Sequence, residues 1–250
     1  MRILSWNIRQ GGGRRLGDIV AAIRGYEPDA VVLNEVRART ASALCEELSR
    51  AGLAFQEHTD PCGFESGTLV AARKPLRRLP RRGPSKILPH GLLEVELHDE
   101  CVIGAVYGPM VTPKHRPFWN RLVRHATANV SASYLLIGDF NTCEAGVDAY
   151  KKPLAGSEQF IAIREAGYVD LWRRTNSAME YTWFSFGRGG VTLNGFRIDH
   201  ALASPSLARR VTGCRYSHVE REGRLSDHSI LLLEVEGTES PLATVIPGSA

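Results

Sequence analysis

Several apolar runs in this 250-residue chain end in acidic or amide side chains: Leu4-Ser-Trp-Asn7, Val31-Val-Leu-Asn-Glu35, Leu135-Leu-Ile-Gly-Asp139-Phe-Asn141 and Phe196-Arg-Ile-Asp199-His200. A fifth, Ser226-Asp227-His228, stands just ahead of the apolar run Ile230 to Leu233. A carboxylate at the edge of a core loses hydration unless a positive or hydrogen-bonding group meets it. One such residue is ordinarily a cap or a turn residue. Five together point to a shared purpose. Gathered at one end of a fold, Glu35, Asp139, Asp199 and Asp227 would raise one another's pKa unless a cation neutralised them. The donors are oxygen-rich and no cysteine cluster accompanies them, which favours Mg²⁺ or Mn²⁺ over a structural zinc. A Mg²⁺ ion keeps open positions for substrate phosphate, so the chemistry indicated is that of a phosphate ester.

The elements that must position these residues are short. Strands are expected at 2–8, 30–33, 68–72, 92–97, 102–107, 134–137, 197–203 and 230–235, and helices at 16–25, 41–50, 116–129 and 157–166. Strands with helices between and outside them make a layered α/β sandwich. No repeat or Pro/Ser-rich linker divides the chain. It is therefore expected to form a single catalytic domain over residues 1–236, with a flexible tail at 237–250. Residues Gly11 to Gly13 read as a flexible turn rather than a phosphate cradle, because no Walker lysine follows. Alternation along a strand allows only one of Asp199 and His200 to face a site, and it makes Trp6 a core residue.

Lys and Arg number 31 against 27 Asp and Glu, a net charge of +4, which suits a polyanionic partner without requiring one. The basic stretch from Arg73 to Lys86, with Arg77, Arg78, Arg81 and Arg82, is broken by Pro75, Pro80 and Pro84. It reads as an exposed loop or edge segment, either a plain solvated connection or a phosphate-binding one. The five cysteines are widely spaced without a CxxC pair and are read as reduced thiols. Neither a secretory h-region nor a membrane-length apolar run is present, so a cytoplasmic protein without membrane association is expected.

Seven segments in order, SWN at 5–7, LNE at 33–35, VYGP at 106–109, GDFN at 138–141, YTW at 181–183, GFRIDHALAS at 195–204 and LSDH at 225–228, resemble the endonuclease/exonuclease/phosphatase superfamily. GFRID, preceded by TWF, is most similar to the exonuclease III and apurinic/apyrimidinic endonuclease branch. The resemblance implies a four-layered α/β sandwich, two packed mixed β-sheets flanked by helices. It also implies a divalent-metal-dependent nuclease acting on DNA, as a monomer, by in-line attack of an activated water. Residue by residue, it implies Glu35 as principal metal ligand with Asn7 and Asp227 near the ion. Asp139 would activate the water, Asn141 would hold the same phosphate region, and His228, supported by Asp199, would contact the scissile phosphate. Tyr107 would bind phosphate or stabilise developing charge. Trp183, Phe184 and Phe196 would border the nucleotide pocket. Arg9 stands where those enzymes more often carry Asp or Asn, a change that would remove a contact beside the metal and add one to phosphate. Two further departures are Gly108-Pro109-Met110 after Tyr107 and a short loop between Thr182 and Arg197.

Two other readings of the same residues stand beside this one. A phosphatase or phosphodiesterase acting on a small molecule or a phospholipid headgroup would use the same centre. A non-catalytic nucleic-acid-binding module would be expected to have lost Glu35, Asp139 or His228, and all three are present.

Overall fold

The computed structural model describes residues 1–97, 100–109, 115–149, 154–186, 190 and 192–237. Residues 238–250 of the expected tail and Met110 fall outside those residues, as does part of the 182–197 loop.

The first sheet is built from β1 (Arg2–Asn7), β2 (Ala30–Val36), β3 (Phe55–His58) and β4 (Gly67–Ala72), joined by two late strands. The second takes β5 (Leu76–Arg78), β6 (Leu92–Leu97), β7 (Cys101–Tyr107), β8 (Tyr134–Asp139) and β9 (Val169–Asp170). A two-stranded ribbon, β10 (Trp183–Phe186) and β11 (Thr192–Phe196), precedes β12 (Asp199–Ala203), which returns to the second sheet. β13 (Val211–Ser217) and β14 (Ile230–Val235) complete the first. The strand orders are β13-β14-β1-β2-β4-β3 and β5-β6-β7-β8-β12-β9.

Side-chain alternation explains the layering. On the inner faces, Ile3, Val32 and Val70 meet Ile103, Leu135 and Ile137 in one buried cluster. The outer positions of the first sheet, Leu4, Trp6, Val31 and Leu33, pack under Ile19, Ile23, Leu44 and Leu48 of α1 (Leu16–Gly25) and α2 (Ala38–Arg50). Those of the second sheet, Val106, Tyr134 and Leu136, pack under Phe118, Leu122 and Phe160 of α3 (Arg116–Asn129) and α4 (Ser157–Glu165). The result is the expected helix–sheet–sheet–helix sandwich. Each fully buried aliphatic side chain contributes about 1.5–3 kcal/mol.

Each sheet holds one parallel pair, β1 with β2 and β7 with β8. Their carboxyl ends carry Asn7 level with Asn34 and Tyr107 level with Asp139. Antiparallel β12 begins there, with Asp199 opposite Asp139. One buried side chain ties the sheets together at this end. The Asn34 amide donates to Thr68 Oγ1 (3.2 Å) and to the Val106 carbonyl (3.1 Å), while its oxygen accepts from the Asp139 backbone N–H at 3.0 Å. Gly138 makes the approach possible: at φ 140°, a Cβ there would lie 2.1 Å from the Val106 oxygen and 3.0 Å from Asn34 Oδ1.

The differences from the sequence reading lie at edges. β3, β5, β9 and β13 lack apolar runs, and their neighbours' ladders hold them in place. The strand expected from 197 starts at Asp199, because the Arg197 N–H bonds the Asp148 carbonyl (2.9 Å) instead of a ladder partner. The glycine run forms a turn in which Arg9 through Gly13 all hold positive φ, between 52° and 73°. Gly11 is buried there, and a Cβ would lie 2.4 Å from Thr40 Oγ1. All five cysteines are free.

Asn34→Ala strands the Asp139 N–H and the Val106 carbonyl in the interior. It should cost about 2–4 kcal/mol, read as a lower urea midpoint at unchanged slope.

Candidate active site

Asn7, fully buried at the end of β1, points inward and reaches across to the second sheet. Its amide donates to Asp139 Oδ2 (2.9 Å) and to Glu35 Oε1 (3.2 Å), and its oxygen accepts from the Arg9 N–H at 3.0 Å. Strict alternation along β2 would send Glu35 to the helical side, opposite Asn34. A bulge prevents this: Asn34 pairs with Thr68 and Val36 with Gly67, leaving Glu35 as the extra residue at φ 61°. The re-aimed carboxylate lies beside Asn7 and accepts the Gln10 N–H at 2.7 Å.

Asp139, 1% exposed, accepts from the Asn141 N–H (2.9 Å) and the Asn141 amide (3.2 Å) as well as from Asn7. Burial pushes its pKa up to about 7, with His228 pulling the other way and Asp199 adding to the rise. Two carboxylates face each other across neighbouring strands here, an unfavourable pairing unless a cation intervenes. His228 supplies that charge. Its Nδ1 is 3.0 Å from Asp199 Oδ2 and its Nε2 is 4.0 Å from Asp139 Oδ2. Burial alone would lower the imidazole pKa, but Asp199 and Asp139 outweigh it and raise it to about 10. The phenol of half-buried Tyr107 is held protonated by burial, and Glu35 and Asp139 reinforce that. It therefore presents a neutral donor. The Asn141 amide also binds the Gly108 carbonyl at 3.0 Å.

The remaining expected residues divide. Asp227, half-buried, accepts from the Trp183 indole at 3.4 Å. Trp183 lies between His228 (ring centroids 6.4 Å) and Phe196 (5.9 Å), so those two aromatics border the site. Phe184 does not: alternation turns it to the other face of the ribbon, against Tyr181 and under the Arg221 guanidinium. Arg9 is exposed beside Asn7. The basic stretch is elsewhere. Arg77 pairs with Glu96 at 2.5 Å, and Arg78 lies 3.6 Å from both Glu57 and Asp60. The register sets Arg77 level with Glu96, Val102 and Tyr134, at the end of β8 away from Asp139. Arg81 and Arg82 are exposed in the loop beyond β5.

Residues 4–228 match the sequence profile of the Endonuclease/Exonuclease/phosphatase family. The chain belongs to that family. Known structures agree in fold. An AP endonuclease from Archaeoglobus fulgidus superposes with a TM-score of 0.80 at 19% identity, covering 94% of this chain and 99% of that one. A 3′ phosphatase from Neisseria, solved with a product DNA hairpin, gives 0.79 at 20% identity with coverages of 94% and 99%. An endonuclease/exonuclease/phosphatase from Beutenbergia cavernae gives 0.68 at 22%, covering 97% of this chain and 73% of that one. No curated protein matches the chain in sequence. As a member of the Endonuclease/Exonuclease/phosphatase family, the protein is a hydrolase of the nuclease and phosphatase class. Among the described residues, no helix is long and apolar enough to cross a membrane.

The family's chemistry calls for a divalent cation, and the residues present fit one. Among the described residues, Glu35 and Asp139 form no ion pair with Lys or Arg, yet both are at least half-buried. Asp139, Asp199 and His228 also lie close enough to share an ion. However, His228 is bonded to Asp199, and in its charged form it has no lone pair to offer. The oxygen donors left to a hard cation are the Glu35 carboxylate beside Asn7 and the half-buried Asp227 carboxylate next to Trp183.

Residues missed in the sequence hold this end of the family fold in shape. The buried Thr182 hydroxyl accepts the N–H groups of Ile198 (3.1 Å) and Asp199 (3.2 Å). Ser226 Oγ donates to the Asn7 carbonyl (2.6 Å) and accepts the His228 N–H (3.2 Å), while Trp6, a core residue as expected, also donates its indole N–H to the His228 carbonyl (3.0 Å). His200 faces away and is buried against Phe160, with burial lowering its pKa to about 4. Arg197 is fully buried and grips Asp170 through both guanidinium nitrogens (2.6 and 3.2 Å) and Asp148 through Nε (2.7 Å). An arginine two residues from Asp199 reads as a surface residue until the tertiary structure supplies both partners.

Burial opposes the ionised forms of Asp148 and Asp170, but Arg197 outweighs it and lowers both pKa values. Their stabilising contribution is complete above the unfolded carboxylate range and is lost as pH falls through the folded values. Arg197→Met should cost about 3–5 kcal/mol at neutral pH. It should also flatten the acid limb of a stability–pH curve measured by denaturant unfolding.

Proposed function

We propose that the protein hydrolyses phosphodiesters of DNA in a divalent-metal-dependent reaction, with Mg²⁺ as the ion and Mn²⁺ able to replace it. The observation that carries the reading is the meeting of Glu35, Asn7, Asp139 and the Asp199–His228 pair at one end of the sandwich. The carboxylates there lack an Arg or Lys partner among the described residues, and Trp183 and exposed Arg9 stand at the rim. The AP endonuclease and 3′ phosphatase neighbours, the second solved with a product DNA hairpin, support the choice of substrate.

In this reading Glu35, Asn7 and Asp227 hold the ion, which supplies Lewis-acid stabilisation of the phosphate oxygens. Asp139, fixed through three hydrogen bonds from Asn7 and Asn141, orients the attacking water and accepts its proton. The charged His228 ring, turned by Asp199, presents Nε2 to a phosphate oxygen. Tyr107, a neutral donor, contacts the same group, and Asn141 maintains the geometry between Asp139 and Gly108. Trp183 and Phe196 offer surfaces to the nucleotide at the break, and Arg9 offers a phosphate contact.

Labelled duplexes, intact, nicked, abasic or ending in a 3′ phosphate, incubated with Mg²⁺ and then with EDTA, test the substrate and the metal together. Cleavage or end-processing that stops in EDTA is expected. Turnover confined to small soluble phosphate esters would instead establish the small-molecule reading.

Glu35→Gln should weaken Mg²⁺ binding as well as rate, whereas Asp139→Asn should lose mainly kcat. Calorimetric titration of the ion beside kinetics separates the two. Removal of His228 should lower kcat about 10²–10³-fold. Because Asp199 acts through that ring, the double variant Asp199→Ala/His228→Ala should be little slower than His228→Ala alone. Additive losses would detach Asp199 from this role.

A further inference from the structure

A cavity of about 570 Å³ lies on the outer face of the second sheet, between the β5–β6 edge and α3. Its floor is Glu94, a carboxylate only 8% exposed and set at mid-strand. One oxygen of that carboxylate is saturated: Oε1 accepts from Tyr134 OH at 2.7 Å and lies 2.8 Å from His125 Nε2. Glycine at position 104, opposite Glu94 on β7, leaves room for the phenol, since a Cβ there would lie 2.9 Å from the Tyr134 hydroxyl. The other oxygen, Oε2, has no hydrogen-bond partner among the described residues, although Glu94 lines the cavity. That oxygen is left free to accept a donor from a ligand in the cleft.

The opposite side of the cavity has the other sign. Arg77 and Arg82 line it. Arg77 engages Glu96 through Nε and Nη2, leaving Nη1 uncommitted, and exposed Arg82 has no ion-pair partner among the described residues. The walls between are apolar, formed by Leu79, Pro80 and Val102. The fitting ligand therefore carries N–H donors at one end, a flat or apolar middle and an anion at the other. The volume is within the range of small-molecule sites.

We propose that this cavity binds a nucleoside monophosphate, with the donor edge of the base on Glu94 Oε2 and the phosphate on Arg82 and Arg77. With Oε1 committed to Tyr134 and His125, Oε2 can take one N–H of a base edge, and guanine, whose N1–H and N2–H are both donors, offers either to it. The site is separate from the catalytic end. Glu94 pairs with Gly104, which pairs with Leu136, whereas the catalytic residues gather around Asp139 at the end of β8. The proposal does not depend on the DNA-hydrolase reading and does not fall with it.

The test is calorimetric titration of GMP, guanosine and inorganic phosphate into the protein in EDTA, alongside three variants. Glu94→Gln keeps an acceptor for Tyr134 and His125 while turning the cavity-facing acceptor into a donor. Arg82→Ala removes the exposed cation. His228→Ala removes the phosphate contact proposed at the catalytic end. GMP is expected to bind at one site, unchanged in His228→Ala and weaker by about tenfold or more in Glu94→Gln and in Arg82→Ala. Guanosine and phosphate should each bind more weakly than GMP. Thermal unfolding of each variant confirms that it is folded. No GMP binding, equal binding in Glu94→Gln, loss of binding in His228→Ala, or phosphate binding as tight as GMP would each overturn the proposal.

Discussion

The arrangement depends on one constraint: two sheets that bury both faces meet at an end where their backbones must still be hydrogen-bonded. Asn34 satisfies it by spanning the gap, taking the Asp139 N–H and the Val106 carbonyl of the second sheet while rooted in the first. Asn7 makes a parallel crossing to the Asp139 side chain. The site is thus the seam of the sandwich rather than a pocket in either sheet. That explains why Gly138 is irreplaceable by shape and why small changes at Asn34 should be felt in the position of Asp139.

Two groups of buried carboxylates show opposite solutions to the same electrostatic problem. Asp148 and Asp170 are neutralised by Arg197 with well-formed hydrogen bonds, a closed arrangement with Trp172 beneath the guanidinium. Among the described residues, Asp139 and Asp199 share only the imidazole of His228 as a cationic partner, and Glu35 has amide donors alone. The first group stabilises the framework. The second leaves negative charge that a cation can complete, and the two groups are joined through the short link Arg197-Ile-Asp199. Stability and reactivity therefore occupy adjacent residues without competing for partners.

Backbone strain concentrates at the same end. Arg9 through Gly13, Glu35 and Asn141 all hold left-handed conformations that non-glycine residues avoid. Each is over-determined by bonds around it: Arg9 N to Asn7, Gln10 N to Glu35, and Asn141 N to Asp139. Arg15 closes the turn by donating to the carbonyls of Arg9 and Leu225. The strain keeps the Glu35 carboxylate from following the strand's alternation to the helical side.

The sequence by itself determined the layered α/β class, most strand and helix positions and the group Asn7, Glu35, Asp139, Asp199 and His228, because local hydrophobic period and the acid at the end of each run are properties of neighbouring residues. It also carried the family resemblance through seven ordered segments. It did not show that Arg197 is buried between two aspartates, that Asn34 crosses the sheets, or that Phe184 faces away from the site. Nor did it show that Arg77 and Arg78 are paired with acids away from Asp139. Those facts rest on partners 11 to 105 residues distant, supplied by strand register and sheet packing. Tertiary structure decided them because a charged or amide side chain looks the same in the sequence whether solvent or a buried counter-group completes it.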